Sequence, residues 1–317
     1  MKPDIVFLSE SNSDVGAGHV IRCIELAKIF LRNQFKCKLL LDPTNISWLE
    51  AYLDQTQIER VSLESIHELK FQNSILIYDF YSENLENLVN NYNWKLKILI
   101  SDDFTPKFKA DFIFYQSLTK HETNINSFSG SKFLILKKID GHLGYLNDKS
   151  KRQLKNVIFF SGGGQGMILN QNCQKLVSEF KQDISFKVVG KSELIRNNYR
   201  KSFEIIDPKY DLSSYILEAD LVISPASTTA LECIAAGKIV GTFKFVANQS
   251  ISYKNLTTQQ LAFPLSDSDF DIDVTKLNKF LTADIFELRQ NLKTSGIDFN
   301  GAERVYLKII DALANFE

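Results

Sequence analysis

Nothing in this 317-residue sequence approaches the ~18 consecutive apolar residues that a membrane-spanning helix requires. Net charge is also missing: 37 Lys and Arg stand against 38 Asp and Glu, leaving −1. The first absence excludes a helical membrane protein. The second removes any global attraction to nucleic acid or acidic membranes, so a small anionic ligand needs a locally built site. Cysteines are few, and Cys23, Cys37, Cys173 and Cys233 lack the paired spacing of a metal site. A reducing compartment would keep them as thiols, and all four read as packing residues. His67, His121 and His142 lie far apart and form no ligand spacing either, so neither metal nor cofactor is expected. Met1-Lys2-Pro3-Asp4 runs straight into Ile5-Val6-Phe7-Leu8, an apolar segment too short for a signal-peptide core, which reads as a strand. The expectation is a cytoplasmic, soluble protein with no nucleic-acid or membrane partner, monomeric by default.

What the sequence does have is alternation. Short β-rich runs at residues 5–8, 38–41, 75–78 and 96–100 are separated by segments of helical period such as 20–30. The same pattern restarts at 157–160, 186–189 and 221–223, past a polar, turn-forming stretch at 141–155. Such alternation predicts parallel sheets with helical crossovers, and the length fits two domains of roughly 150 residues. The domains are expected at 1–145 and 152–317, with the last segment, 302–316, crossing back to brace the first.

Three loops carry the chemistry. In the first, Ser9-Glu10-Ser11-Asn12-Ser13-Asp14-Val15-Gly16-Ala17-Gly18-His19-Val20-Ile21-Arg22-Cys23 joins a strand to a helix at the strand's carboxyl end, where open α/β sheets build ligand crevices. Gly16 and Gly18 let backbone approach a ligand and put His19 in the first helical turn, in reach of a general-base role, with a simple helix cap as the plainer alternative. The second, Ser161-Gly162-Gly163-Gly164-Gln165-Gly166, offers unhindered N–H groups to a diphosphate, although a tight strand-to-helix turn would look the same. It lacks both the Lys-Ser/Thr ending of a P-loop and the glycine spacing of a nicotinamide site. In the third, Ser224-Pro225-Ala226-Ser227-Thr228-Thr229-Ala230-Leu231-Glu232, Ser227 or Thr228 could cap a helix and meet a phosphate, and Glu232 could accept from ribose hydroxyls or simply be a solvated helix charge.

In this arrangement the sequence resembles the UDP-sugar hydrolases of pseudaminic acid biosynthesis and their spore-coat relatives, which are themselves similar to the transferase that adds N-acetylglucosamine in peptidoglycan synthesis. The resemblance spans nearly the whole chain. It rests on Val15-Gly16-Ala17-Gly18-His19-Val20-Ile21-Arg22-Cys23, Tyr78-Asp79-Phe80-Tyr81, Ser101-Asp102-Asp103-Phe104, the glycine loop, the Ser227-Thr228-Thr229 turn with Glu232, Ala247-Asn248-Gln249 and Asn300-Gly301-Ala302-Glu303-Arg304-Val305. It implies two Rossmann-like domains facing across a cleft, a GT-B-like fold, with UDP held mainly by the second.

The resemblance further implies catalysis by His19 and Tyr81, with His19 as base. Substrate contacts would come from Gly16, Gly18, Arg22, Asp79, Gly163, Gly164, Gln165, Ser227, Thr228, Glu232, Asn248 and Gln249. Water activated by His19 would attack the anomeric carbon and expel UDP with inversion, without a metal. Two departures stand beside it. Lys137-Lys138 replaces an arginine followed by an acid, and the glycine loop with Leu169-Asn170-Gln171 reads more like the peptidoglycan transferase. Hydrolysis is the leading expectation and glycosyl transfer in surface polysaccharide synthesis the alternative, because both cleave the same bond from the same nucleotide site. The Asp102-Asp103 pair reads as a strand-end turn and is assigned no role.

Overall fold

The computed structural model describes residues 2–11, 16–68, 71, 73–102, 104, 108–120, 126–141, 155–161, 176, 184–190, 203–244, 249–266, 271–282 and 286–315. The chain forms two units, one from Met1–Lys137 joined by Asp298–Glu317, the other from Lys138–Ile297. In the first unit the strands β1 (Ile5–Ser9), β2 (Cys37–Leu40), β3 (Glu59–Val61), β4 (Ile75–Asp79), β5 (Leu96–Ser101), β6 (Phe112–Tyr115) and β7 (Ser127–Phe128) line up in the order 3-2-1-4-5-6-7. Helices α1 (Gly18–Arg32), α2 (Ser47–Leu53) and α3 (Glu83–Asn90) lie between them in sequence. All of its strand pairs are parallel.

The second unit repeats the plan. Strands β8 (Asn156–Phe160), β9 (Ser185–Val189), β10 (Glu204–Ile206), β11 (Leu221–Pro225), β12 (Val240–Phe243) and β13 (Phe263–Pro264) take the order 10-9-8-11-12-13, again parallel. Its described helices are α4 (Ser213–Glu218), α5 (Thr228–Ala235), α6 (Ser250–Thr258), α7 (Val274–Thr282) and α8 (Phe286–Thr294). The chain then re-enters the first unit as α9 (Gly301–Asn315). These are the two parallel-sheet, Rossmann-like domains that the alternation predicts.

Strand composition explains the layering. β1 and β4 are buried along their whole length, so both faces are apolar, as parallel strands covered on two sides require. Because successive side chains point to opposite faces, Ile5, Phe7, Ile75 and Ile77 join one core with α1 and α9. Val6, Leu8, Leu76 and Tyr78 join another with Phe71, Phe80, Leu85 and Val89.

In α9 the buried residues Ala302, Val305, Tyr306, Ile309 and Ala312 recur at helical spacing, and the Tyr306 ring meets Phe30 of α1 edge-on at 5.0 Å. Its first turn touches backbone directly. A Cβ on Gly301 would lie 1.8 Å from the Leu134 carbonyl oxygen, so only glycine fits. Arg304 fixes the same approach, donating to Asp298 at 2.8 and 2.6 Å and to the Lys132 carbonyl at 3.1 Å. The Asn300-Gly301-Ala302-Glu303-Arg304 segment thus docks the returning helix.

The unit boundaries differ from the sequence expectation of 1–145 and 152–317. Phe133 and Ile135 pack into the first core, so the chain leaves that unit after Lys137, ahead of the turn-forming stretch. At the other end, burial of α9 returns residues 298–317 to the first unit. Positions 142–154 of the expected linker are outside the described residues.

Candidate active site

The first sheet changes direction between β1 and β4: the chain passes from β1 to β2 on one side, while β4 pairs on the other. At such a switch point the carboxyl ends of the strands open a crevice. Six side chains reach that edge: Glu10 after β1, His19 and Arg22 from α1, Asp79 and Tyr81 at the end of β4, and Asp102 just past β5. The lead-in to α1 is shaped locally. Gly16 has φ of +79°, a left-handed conformation that favours glycine, and its carbonyl accepts from Ser11 Oγ at 2.9 Å. The helix starts at Gly18, placing His19 in its first turn and Arg22 one turn later on the same face.

Those side chains form one bonded network. His19 Nδ1 hydrogen-bonds Asp79 Oδ1. The Arg22 guanidinium lies between two carboxylates. Nε donates to Asp79 Oδ2 at 2.7 Å and Nη2 to Asp79 Oδ1 at 2.9 Å. On its outer side, Nη1 donates to Asp102 Oδ1 at 2.9 Å and Nη2 to Asp102 Oδ2 at 3.0 Å. Tyr81 closes the group. Its hydroxyl donates to Asp102 Oδ2 at 2.9 Å, its ring stands edge-on to His19 at 4.6 Å between centroids, and its backbone N–H donates to Glu10 Oε1 at 2.5 Å.

Burial makes this network consequential. Asp79 is 1% exposed, His19 4% and Arg22 5%, whereas Tyr81 is 42% exposed. Buried charges persist only when paired. Desolvation pushes the Asp79 carboxyl up, but Arg22, and then His19, outweigh it and hold Asp79 below the usual carboxylate range. Desolvation likewise works against the Arg22 charge, and Asp102 and Asp79 more than compensate, raising it well above its ordinary value. Burial of its hydroxyl end and the facing Asp102 carboxylate push the Tyr81 phenol upward, so it remains a donor. With Nδ1 engaged by a buried carboxylate, the imidazole retains Nε2 as a proton acceptor, the arrangement a general base needs.

Of the residues expected from sequence, His19, Arg22, Asp79 and Tyr81 are brought together, with Gly16 and Gly18 in the turn before them. In the second unit Ser227 stands at the N-cap of α5 without a side-chain capping bond, Thr228 begins that helix, and Glu232 lies one turn in, 7% exposed. β11 and β12 end together there, the Ala226 N–H donating to the Phe243 carbonyl at 2.9 Å. Beneath that edge Thr242 Oγ1 is buried without a hydrogen-bond partner. Gln249 is half-buried and precedes α6. Gly163, Gly164, Gln165 and Asn248 fall outside the described residues.

Asp102 and Glu10 were given no role by sequence reasoning. The available signal was positional: each is an acid just past a strand, at the carboxyl edge that carries His19.

Two Rossmann-like units with parallel sheets are the domain pair of GT-B glycosyltransferases, and that is the fold class of this chain. Among solved structures, the chain is similar to MurG of Acinetobacter baumannii at a TM-score of 0.59 and 14% identity, covering 96% of this chain and 98% of that one. It is also similar to Arabidopsis thaliana UGT89C1 complexed with UDP-L-rhamnose, at 0.66 and 12% over 100% and 99% of the two chains. A third is the spinosyn rhamnosyltransferase SpnG complexed with thymidine diphosphate, at 0.66 and 10% over 96% and 99%. At these identities the likeness is one of fold. No protein-family description and no curated protein matches the sequence. Among the described residues no helix is long and apolar enough to cross a membrane.

Proposed function

We propose that this chain is a nucleotide-sugar enzyme that breaks the bond between the anomeric carbon and the diphosphate, with glycosyl transfer to an acceptor hydroxyl as the reaction. The observation that carries this reading is His19, held through Nδ1 by buried Asp79 at the switch-point edge of the first sheet. On this reading Nε2 takes the proton of the acceptor hydroxyl as its oxygen attacks the anomeric carbon. The carbon–phosphate-oxygen bond breaks, the nucleoside diphosphate leaves with the electron pair, and the configuration inverts. Tyr81, exposed beside His19, lines the sugar; Asp79 and Arg22, both buried, hold His19 rather than substrate. Ser227 and Thr228 meet the diphosphate at the start of α5, Glu232 takes the ribose, and Gly163, Gly164, Gln165, Asn248 and Gln249 complete the nucleotide site. That the spinosyn rhamnosyltransferase SpnG shares this fold supports transfer, and the UDP-L-rhamnose bound to UGT89C1 and the thymidine diphosphate bound to SpnG support a nucleotide-sugar donor.

Hydrolysis is the second reading, favoured by the ordered sequence resemblance to the UDP-sugar hydrolases. There water replaces the acceptor, and the substrate would be UDP-2,4-diacetamido-2,4,6-trideoxy-β-L-altropyranose. One experiment separates the two. UDP release from this and other UDP-sugars is followed by NMR in buffer alone and then with candidate acceptor sugars, with His19→Asn as control. Release only with an acceptor supports transfer, and release into buffer supports hydrolysis. Absence of both, together with absence of UDP binding, would sink the nucleotide-sugar reading.

A further inference from the structure

Tyr81 combines two properties that do not usually go together. It is 42% exposed, yet its ring keeps an edge-on contact with buried His19, 4.6 Å between centroids. A surface aromatic side chain loses rotamer freedom when it is fixed in this way, so the contact needs restraints. Two come from other strands. At the far end of the ring, the hydroxyl donates to Asp102 Oδ2 at 2.9 Å. At the near end, the backbone N–H donates to Glu10 Oε1 at 2.5 Å. The parallel ladder between β1 and β4 stops at Ser9 and Asp79, and one residue past β1 the Glu10 carboxylate takes over from backbone as the acceptor. Among the described residues that half-buried carboxylate makes no other hydrogen bond or ion pair.

The chain on either side of Tyr81 shows what this bond decides. Phe80 is anchored, 3% exposed, with its ring 5.4 Å from that of Tyr78 and 5.1 Å from that of Phe108. On the other side α3 begins only at Glu83. The peptide plane between Phe80 and Tyr81 lies between those anchors, and its orientation sets the direction in which the Tyr81 side chain leaves the backbone. An acceptor on the Tyr81 N–H fixes that plane. The Asp102 bond by itself holds one point of the phenol and leaves the ring free to swing about its hydroxyl. We infer that Glu10 is a positioning residue: by accepting the Tyr81 N–H it directs the phenol ring against His19, and so shapes the wall that meets the sugar. The wall's contact with sugar rests on the nucleotide-sugar reading; the placement of the ring does not. What Glu10 contributes is an acceptor oxygen rather than a charge, so glutamine can stand in for it and alanine cannot.

The test reads the ring against the imidazole. An aromatic ring shifts the NMR signals of nuclei beside it, and the chain has 4 histidines, so ¹³C-histidine labelling with His19→Asn as the assignment control isolates the His19 ring signals. Tyr81→Leu, at the same pH, gives the shift for complete loss of the phenol. Glu10→Ala is expected to move the His19 signals a large part of the way to the Tyr81→Leu position, and Glu10→Gln to leave them near the wild type. Signals that stay in place in Glu10→Ala overturn the inference. So do signals that move equally in Glu10→Gln, because the carboxylate charge would then be responsible. Should Glu10→Ala fail to fold, Glu10→Met keeps the length of the stem without the acceptor and is read in the same way. Where turnover is measurable, Glu10→Ala should raise KM for the sugar nucleotide about three- to tenfold with kcat within about threefold of the wild type, and Glu10→Gln should restore both. A His19 shift without that rise in KM would overturn the contact with sugar and leave the placement of the ring standing, so failure of the nucleotide-sugar reading and failure of the positioning role are separate outcomes.

Discussion

The two sheets present their carboxyl edges differently. In the first unit that edge concentrates charge, with an imidazole, a guanidinium and two carboxylates bonded to one another and three of the four buried. In the second unit the edge at β11 and β12 is built from neutral hydroxyls, Ser227, Thr228 and Thr229, at the start of a helix. One fold repeated twice therefore gives one surface suited to holding a proton in a defined place and one suited to offering donors to an anion. The charged edge is self-sufficient, since its groups satisfy each other. The hydroxyl edge includes Thr242 Oγ1, buried and unpartnered.

The largest expected effect tests that division of labour. His19→Asn should cut turnover about 10²–10⁴-fold while leaving UDP affinity nearly intact, whereas Ser227→Ala should weaken UDP binding by about 1 kcal/mol with little loss of turnover at saturation. Calorimetric titration with UDP beside steady-state kinetics reads both, and a His19 variant that loses UDP binding would erase the contrast. Next in size is Gly301→Ala, which forces a methyl against the Leu134 carbonyl and should cost roughly 3 kcal/mol, the upper range for overpacking. Hydrogen exchange should show the loss in the first unit alone; equal loss in the second would mean that the two do not open separately.

A smaller effect concerns acid. In the first unit the hydrogen bonds from Arg60 lower Glu50, while Asp79 and Asp298 are lowered by Arg22 and Arg304 against opposing desolvation. In the second, among the described residues, only half-buried Asp273 is lowered, chiefly by the Lys276 backbone N–H. A carboxyl whose folded pKa lies below its unfolded value adds stability that is complete above the ordinary range near ~4 and disappears as pH falls through the folded value. The first unit should therefore lose exchange protection before the second as pH is lowered below about 4. The reverse order would show that charge pairing does not govern its acid stability. The smallest effect is Thr242→Val, which removes the unpaired hydroxyl and should raise stability by up to about 1 kcal/mol in urea unfolding; a decrease would mean that the hydroxyl finds a partner in solution.

Much of this was legible because local patterns carried it. Alternating apolar runs and helical periods fixed the fold class, and the small-residue loop after β1 pointed to His19. The helical character of the last segment, 302–316, was legible, and that segment returns to the first unit. The two-residue strands β7 and β13 had no readable period, being ordered by their neighbours rather than by their own composition. Asp102 was visible as an acid at a strand end, but its partner Arg22 is 80 positions away in sequence and only the parallel register of β1, β4 and β5 brings them together. The exit after Lys137 follows the packing of Phe133 and Ile135 rather than turn-forming composition, and such packing has no local signature.

That exit and the later return have a consequence for synthesis. The first unit needs Asp298–Glu317, and these residues are made only after all of Lys138–Ile297. On the ribosome the second unit can emerge and fold complete, while the first waits with the flank of Phe30 uncovered until Tyr306 arrives. The unit whose larger part is made earlier is thus the one completed later.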